Sequence, residues 1–234
     1  MKILFHGRFS FHKEYHFSII IDELSSEYTL GQMQKKQDDI LVALEKMGIL
    51  FHNKQLSWGF PPYTIALISG ETSAGLKDFL KVVEQSGYNI SYEEYFCAIN
   101  GNNAQEQVAE QLRLISTAIK QGKKIDAVAI IRGGGGSSDI IWQNDLGIAT
   151  EICRMPVPVM VAIGHTQDRF ILQDLAWYGA KTPTDAAYKL IEILAQRESA
   201  LEMTYEEIVE MCDEKIMNVR ENIDKWSQSI QSVL

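Results

Sequence analysis

Asp126-Ala-Val-Ala-Ile-Ile-Arg132 runs directly into Gly133-Gly134-Gly135-Gly136-Ser137-Ser138-Asp139. The first half is a short, largely apolar run, the composition of a strand buried on both faces of a sheet. The second half exposes backbone N–H groups at what would be the carboxyl edge of that sheet, where α/β proteins bind ligands. Glycine lets such a backbone approach an anion closely. Arg132, at the strand end, adds a permanently charged fork suited to a phosphate. A flexible linker is the plainer alternative, yet linkers rarely begin on a strand-terminal Arg and end at a helix start. Taken alone, a glycine-rich run remains a weak signal shared by many nucleotide-binding folds.

Working outward, the same grammar recurs on both sides. Pro156-Val-Pro-Val-Met-Val-Ala-Ile-Gly164-His165-Thr166-Gln167-Asp168 is a second buried strand ending in Gly, followed by a His and, three residues on, an Asp. In a parallel sheet this puts His165 on the same edge as the glycines. His trades a proton near neutral pH, and a nearby carboxylate can hold its tautomer. A lone His at a strand end is more often structural; pairing with the glycine run reverses that preference. On the other side, Thr64–Ser69 leads into Gly70-Glu71-Thr72-Ser73-Ala74-Gly75-Leu76-Lys77-Asp78, a strand, a turn and a helix whose N-terminus can face an anion. Asp78 alone reads as a solvated helix residue.

Alternation of short apolar runs with amphipathic segments from Thr64 onward predicts a parallel sheet with crossover helices. Strands are expected at Thr64–Ser69, within Tyr88–Ile99, at Ile125–Ile131 and at Val157–Ile163. Helices are expected at about Ala74–Gln85 and Ala104–Gln121, before Met155, and after Asp168, with Gly87 and Gly122 as C-terminal stops. The result is an α/β domain of about four or more strands, in doubly wound form. Ahead of it, Lys2–Phe9 and Tyr15–Ile21 read as two short strands and Leu30–Met47 as a helix stopped by Gly48, with Phe60-Pro61-Pro62 as a boundary. Beyond Lys181-Thr182-Pro183-Thr184 one long helix capped by Thr184 is expected. There Val209, Ile216, Ile223 and Ile230 repeat every seven residues, and Tyr205, Cys212, Val219, Trp226 and Val233 form a parallel series offset by four. That is a coiled-coil seam seeking a partner helix, with packing on the protein's own body as the alternative.

Composition constrains the reading. With 46% apolar and 23% charged residues the chain is ordinary for a globular protein. No apolar run is long enough for a membrane span, and the opening MKILFHGRFSFHKEY lacks a signal-peptide core, so a cytoplasmic location is expected. Cys97, Cys153 and Cys212 are scattered, giving neither a metal pattern nor a disulfide framework, and each is expected to be a small buried apolar residue. The net charge of −9 argues against a broad DNA-wrapping surface. From Thr184 onward, however, eleven acidic and five basic residues carry −6 of it, leaving the remainder nearly neutral.

Taken in order, Arg132–Gly135 with Asp139 and Asn144, then Pro156-Val157-Pro158, Gly164-His165 with Asp168, and Thr182-Pro183 resemble the exodeoxyribonuclease VII large-subunit family over about residues 65–190. The resemblance implies hydrolysis of single-stranded DNA to acid-soluble oligonucleotides, with Asp78, Arg132, His165 and Asp168 as catalytic residues. It further implies substrate contacts from Gly133, Gly134, Gly135, Gly136, Asp139, Asn144 and Thr182. Residues 1–60 resemble the last strands of an oligonucleotide-binding barrel plus its connecting helix, 61–181 the catalytic domain, and 182–234 the start of a coiled coil along which small subunits dock; self-association of the large subunit is a further expectation. Most of the barrel is absent, as in a piece of a longer protein or a shortened homologue. The chain departs from the family pattern at Thr166 (usually Glu), at Gly135-Gly136 (usually Gly-Ser) and at Gly179 (commonly Arg).

Phosphodiester hydrolysis needs an aligned water, neutralised phosphate charge and a proton for the leaving oxygen. Arg132 and the Gly133–Gly136 amides would hold the phosphate, His165 would act as general acid or base with Asp168 orienting it, and Asp78 would position water. No carboxylate cluster with metal-ligand spacing is visible in the sequence, and the family is known for activity without a divalent metal, so no cofactor is expected. Three rivals stay open. A nucleotide-utilising enzyme would want a Walker lysine or a ribose-binding acid at the proper offset, and neither is present. A catalytically silent single-strand-binding module would account for Thr166 and Gly179. A pure coiled-coil assembly protein would leave the glycine run and His165 without purpose.

Overall fold

The computed structural model describes residues 5–12, 16–24, 26–58, 64–99, 101, 103–133, 144–163 and 170–231. Two compact units make up the chain, one through Tyr188 and one from Lys189 onward.

The first unit is built on a five-stranded, all-parallel sheet in the order β4-β3-β5-β6-β7, comprising β3 (Thr64–Ser69), β4 (Ser91–Phe96), β5 (Ala127–Ile131), β6 (Val159–Ala162) and β7 (Tyr178–Gly179). Numbered along the sheet's own strands this is 2-1-3-4-5, a doubly wound order whose direction of build reverses between β3 and β5. The central strands are buried along almost their whole length, as expected where helices cover both faces of a parallel sheet. On one face Ile68, Val128, Ile130 and Val161 pack with Leu112 and Ile115 of α3 (Ala104–Lys120), Ile148 and Ile152 of α4 (Leu146–Arg154) and Leu172 of α5 (Ile171–Leu175). Ile40 and Leu44 of α1 (Ser26–Lys46) join the same cluster. The intervening residues Ile65, Leu67, Ala129 and Ile131 are equally buried. Helix α2 (Ala74–Gln85) buries Leu76, Phe79 and Val83 at helical spacing, none of them part of that cluster. Each large side chain so buried contributes about 2 kcal/mol.

Most predicted elements are present. Gly87 and Gly122 follow α2 and α3 with φ of +79° and +94°, a conformation that glycine adopts without a Cβ penalty. Four findings differ from the expectations. A fifth strand, β7, is only two residues long and too short to carry a periodic signal. The helix after Asp168 is a five-residue α5. The last helix, α6 (Pro183–Gln231), starts two residues earlier than expected: Thr182, not Thr184, is the cap, its Oγ1 accepting from Asp185 N at 3.1 Å. Pro183 then takes the first helical position, where a missing N–H is harmless. Asp185 answers the cap by accepting from Lys181 N at 2.7 Å and from the Tyr178 hydroxyl at 3.0 Å.

The fourth difference concerns the cysteines. Cys153 is buried and Cys97 half-buried, but Cys212 is exposed, because it lies on the apolar stripe of α6 rather than in the core. Burial pushes the Cys97 thiol up to about 11 and raises that of Cys153, which keeps both protonated near neutral pH. A maleimide at neutral pH is therefore expected to modify one thiol per native chain rapidly and all three after unfolding, with peptide mapping placing the fast one at Cys212.

Ahead of the sheet, β1 (Phe5–His12) and β2 (His16–Leu24) form an antiparallel hairpin with a bulge between His6 and Gly7. Phe11 and Phe17 stack edge-on across it at 5.2 Å. A single turn of 3-10 helix, Asn53–Gln55, carries a buried side chain with four hydrogen bonds. Fully buried Asn53 donates to Met155 O (3.4 Å) and Val157 O (2.9 Å) and accepts from Val159 N (2.9 Å) and Trp177 N (3.1 Å). In the second unit the described positions of both seven-residue series, from Tyr205 to Ile230, are exposed. Among the described residues no helix is long and apolar enough to cross a membrane.

Candidate active site at the carboxyl edge of the sheet

In a 2-1-3-4-5 sheet the crevice falls outside the carboxyl ends of the two strands flanking the reversal, here β3 and β5. Their ends are tied together. Buried Ser69 closes β3 and donates its hydroxyl to Ile131 O at 2.9 Å. One residue later Arg132 N donates to Ala162 O at 3.0 Å, joining β5 to the last residue of β6. These bonds fix the backbone from which Arg132 and the glycines depart, and they fix the strand end that His165 follows by three residues.

Arg132 is buried, with 5% of its surface exposed. A guanidinium keeps its charge even when buried, so Arg132 places a positive charge at the end of β5. Directly after it, Gly133 N donates to the Ser73 hydroxyl at 3.3 Å. Ser73 is also the N-cap of α2, accepting from Leu76 N at 3.3 Å. The backbones of Gly75 and Gly133 meet so closely that a Cβ on Gly75 would lie 2.5 Å from Gly133 Cα and 2.8 Å from Pro183 Cγ. A Cβ on Gly133 would collide with Gly75 N. Three sequence motifs, the start of α2, the glycine run and Thr182-Pro183, thus converge on one backbone contact.

Among the expected site residues, the structure brings together Arg132 and Gly133 with the first turn of α2, which carries exposed Asp78 one turn beyond Gly75, and with Thr182 beside Pro183. The Thr182 hydroxyl is exposed and also shares a 2.9 Å hydrogen bond with Thr184 Oγ1. Asn144 is placed differently. It is 1% exposed, and its oxygen accepts from Gln37 Nε2 at 3.1 Å and from Ile171 N at 3.4 Å. Standing just ahead of α4, it thereby bonds both α1 and the first residue of α5. Gly134, Gly135, Gly136, Asp139, His165 and Asp168 lie outside the described residues, as do Thr166 and the Phe60-Pro61-Pro62 boundary. Gly179, where the family pattern commonly has Arg, is accounted for locally: a Cβ there would lie 2.6 Å from Gln173 O.

Sequence reasoning passed over Ser73 and Gly75. Both carried a signal: Ser immediately before a periodic apolar run is a cap, and Gly inside a helix costs about 1 kcal/mol and so asks for a packing reason.

Comparison with known proteins supports the same assignment. Residues 50–234 match the family model described as exonuclease VII, large subunit. The exodeoxyribonuclease 7 large subunit of Deinococcus radiodurans is 30% identical over 195 residues, covering 82% of this chain and 46% of that protein. Its counterpart in Corynebacterium jeikeium is 27% identical, covering 83% and 44%. That of Campylobacter jejuni subsp. doylei is 30% identical, covering 75% and 44%. The chain spans a little under half the length of these curated relatives. With the family model matched over most of the chain, including every strand of the parallel sheet, the chain belongs to the exonuclease VII large-subunit family.

Proposed function

We propose that the chain supplies the catalytic portion of an exodeoxyribonuclease VII, hydrolysing phosphodiester bonds of single-stranded DNA to acid-soluble oligonucleotides in the cytoplasm. The observation that carries this reading is the buried Arg132 at the switch point, followed at once by Gly133, the first residue of the glycine run, braced against the start of α2. A cation followed by a run of glycine amides suits a phosphodiester whose charge grows in the transition state. In this reading Arg132 and Gly133–Gly136 hold the phosphate, and His165 passes a proton to or from the reacting oxygens. Asp168 orients the imidazole, and Asp78 positions water. Asp139 and Thr182 contact the strand from the rim, whereas Asn144, whose oxygen is engaged by Gln37 and Ile171, serves by holding the ends of the neighbouring segments.

The proposed domain scheme assigns residues 1–60 to the end of an oligonucleotide-binding barrel with its connecting helix, 61–181 to catalysis and 182–234 to a coiled coil. The exposed apolar series on α6 supports small-subunit docking there, with self-association of the chain as the competing use.

The test is incubation of the chain, with and without a cognate small subunit, on 5′- and 3′-labelled single-stranded and duplex DNA in EDTA. Short products from single strands alone are the expected result. Retention of intact single strands with bound protein, even with the small subunit, would replace the nuclease by a silent binding module, the reading that the altered Thr166 favours.

A further inference from the structure

The contact between Gly75 and Gly133 is closer than helix packing requires, and it falls on the first residue of the glycine run. A glycine in the first turn of α2 sacrifices helix propensity for which Ala would serve better. What it gains is backbone-to-backbone approach: the would-be Cβ of either residue runs into the backbone of the other. The same junction carries a hydroxyl that faces two ways, Ser73 accepting from Leu76 N inside α2 and from Gly133 N outside it. Pro183 closes the third side against Gly75. None of these atoms is free to shift alone, because Leu76 and Phe79 anchor α2 in the core and Ser69 fixes the end of β5.

We propose that Ser73 and Gly75 are positioning residues that set where the phosphate-holding glycine run begins. They act through Gly133, with no contact to the reacting atoms, and the proposal rests on the nuclease reading above for its effect on rate. A donor amide misplaced by about 1 Å loses on the order of 100-fold in rate, and adding a Cβ at Gly75 forces a displacement of that order. Ser73 holds direction rather than distance, so its loss has a smaller effect.

The experiment uses the full chain with its small subunit and compares Gly75→Ala, Ser73→Ala and Ser73→Thr. Val83→Ala serves as a control at the far, buried end of α2. Two readouts are taken: steady-state cleavage of a labelled single strand, and amide hydrogen exchange at Gly133. The expected result is a kcat lowered about 100-fold in Gly75→Ala and about 10-fold in Ser73→Ala, with KM changed by less than about threefold. Ser73→Thr, which keeps the hydroxyl, should stay within about threefold of the parent, and Val83→Ala should lose stability while its folded fraction keeps its kcat. Exchange at Gly133 should accelerate in Ser73→Ala and remain slow in Ser73→Thr. A kcat within about threefold of the parent in folded Ser73→Ala and Gly75→Ala overturns the proposal. If the parent itself does not cleave, the nuclease reading fails and exchange alone decides: unchanged protection of Gly133 in Ser73→Ala then removes the positioning role.

Discussion

Asn53→Ala is expected to destabilise the chain by about 4 kcal/mol, read as a lower urea midpoint with little change in slope. The side chain is fully buried, and all its hydrogen-bonding capacity is directed at four backbone groups. Removing it strands Val159 N and Trp177 N without that acceptor, and Met155 O and Val157 O without that donor. A buried group left unsatisfied loses about 1–3 kcal/mol, whereas a hydrogen bond gained on folding nets only about 1 kcal/mol. A water entering the vacated space would recover part of the loss, which is why the estimate stays below the sum. The neighbourhood magnifies the damage, since Trp177 also donates its indole N–H to Leu56 O at 2.9 Å and packs edge-on against Trp58 at 5.2 Å. A midpoint shift worth less than about 1 kcal/mol would mean that this turn does not fasten the sheet.

The largest expected effect on rate belongs to His165→Ala, a fall of about 1000-fold in cleavage of single-stranded DNA, or roughly 4 kcal/mol in the barrier. The reasoning starts from the strand ends. Arg132 N is bonded to Ala162 O, so Arg132 sits beside the end of the strand that His165 follows by three residues in sequence. In the proposed mechanism that imidazole passes a proton to or from the reacting oxygens, a role suited to histidine because its ordinary pKa lies near neutrality. Loss of a general acid or base alone lowers rate by about 100- to 10,000-fold. A variant that keeps its fold and cleaves within about tenfold of the parent, a difference of about 1.4 kcal/mol, would remove His165 from the chemistry.

How much could be read from residues alone differs from element to element, for physical reasons. Strand β3 and helix α2 have the bounds that the pattern predicts, Thr64–Ser69 and Ala74–Gln85. There an unbroken apolar run, a capping Ser and an amphipathic repeat follow one another without conflict. Strand β4 was legible only within a longer stretch, because an edge strand needs one buried side and so carries Glu93 and Glu94 among its aromatics. Strand β7 exists only through its pairing with β6, a tertiary fact that two residues cannot announce. At the site, Arg132 and Gly133 were legible because a charge and a glycine run at a strand end are unusual. Ser73 and Gly75 were not, since their importance lies in a contact made across 60 residues of chain. Asn144 was identified by resemblance as a substrate contact, but burial and its two partners place it inside the fold.

The bond between Asn53 and Trp177 spans 124 positions in sequence, and that separation has a consequence for how the molecule is made. A ribosome adding roughly 10 residues per second exposes Asn53 many seconds before its last partner exists. For most of that interval Asn53 has none of its four partners, the first three arriving with Met155, Val157 and Val159 and the last with Trp177, whereas the nascent strands β3 and β5 can pair before any of them. The edge that β6 and β7 complete is therefore closed late, first through the segment around Val159 and then through Trp177. Newly made chain should be most vulnerable to proteases and to mispairing during this interval, and chaperones would have their longest engagement with it then.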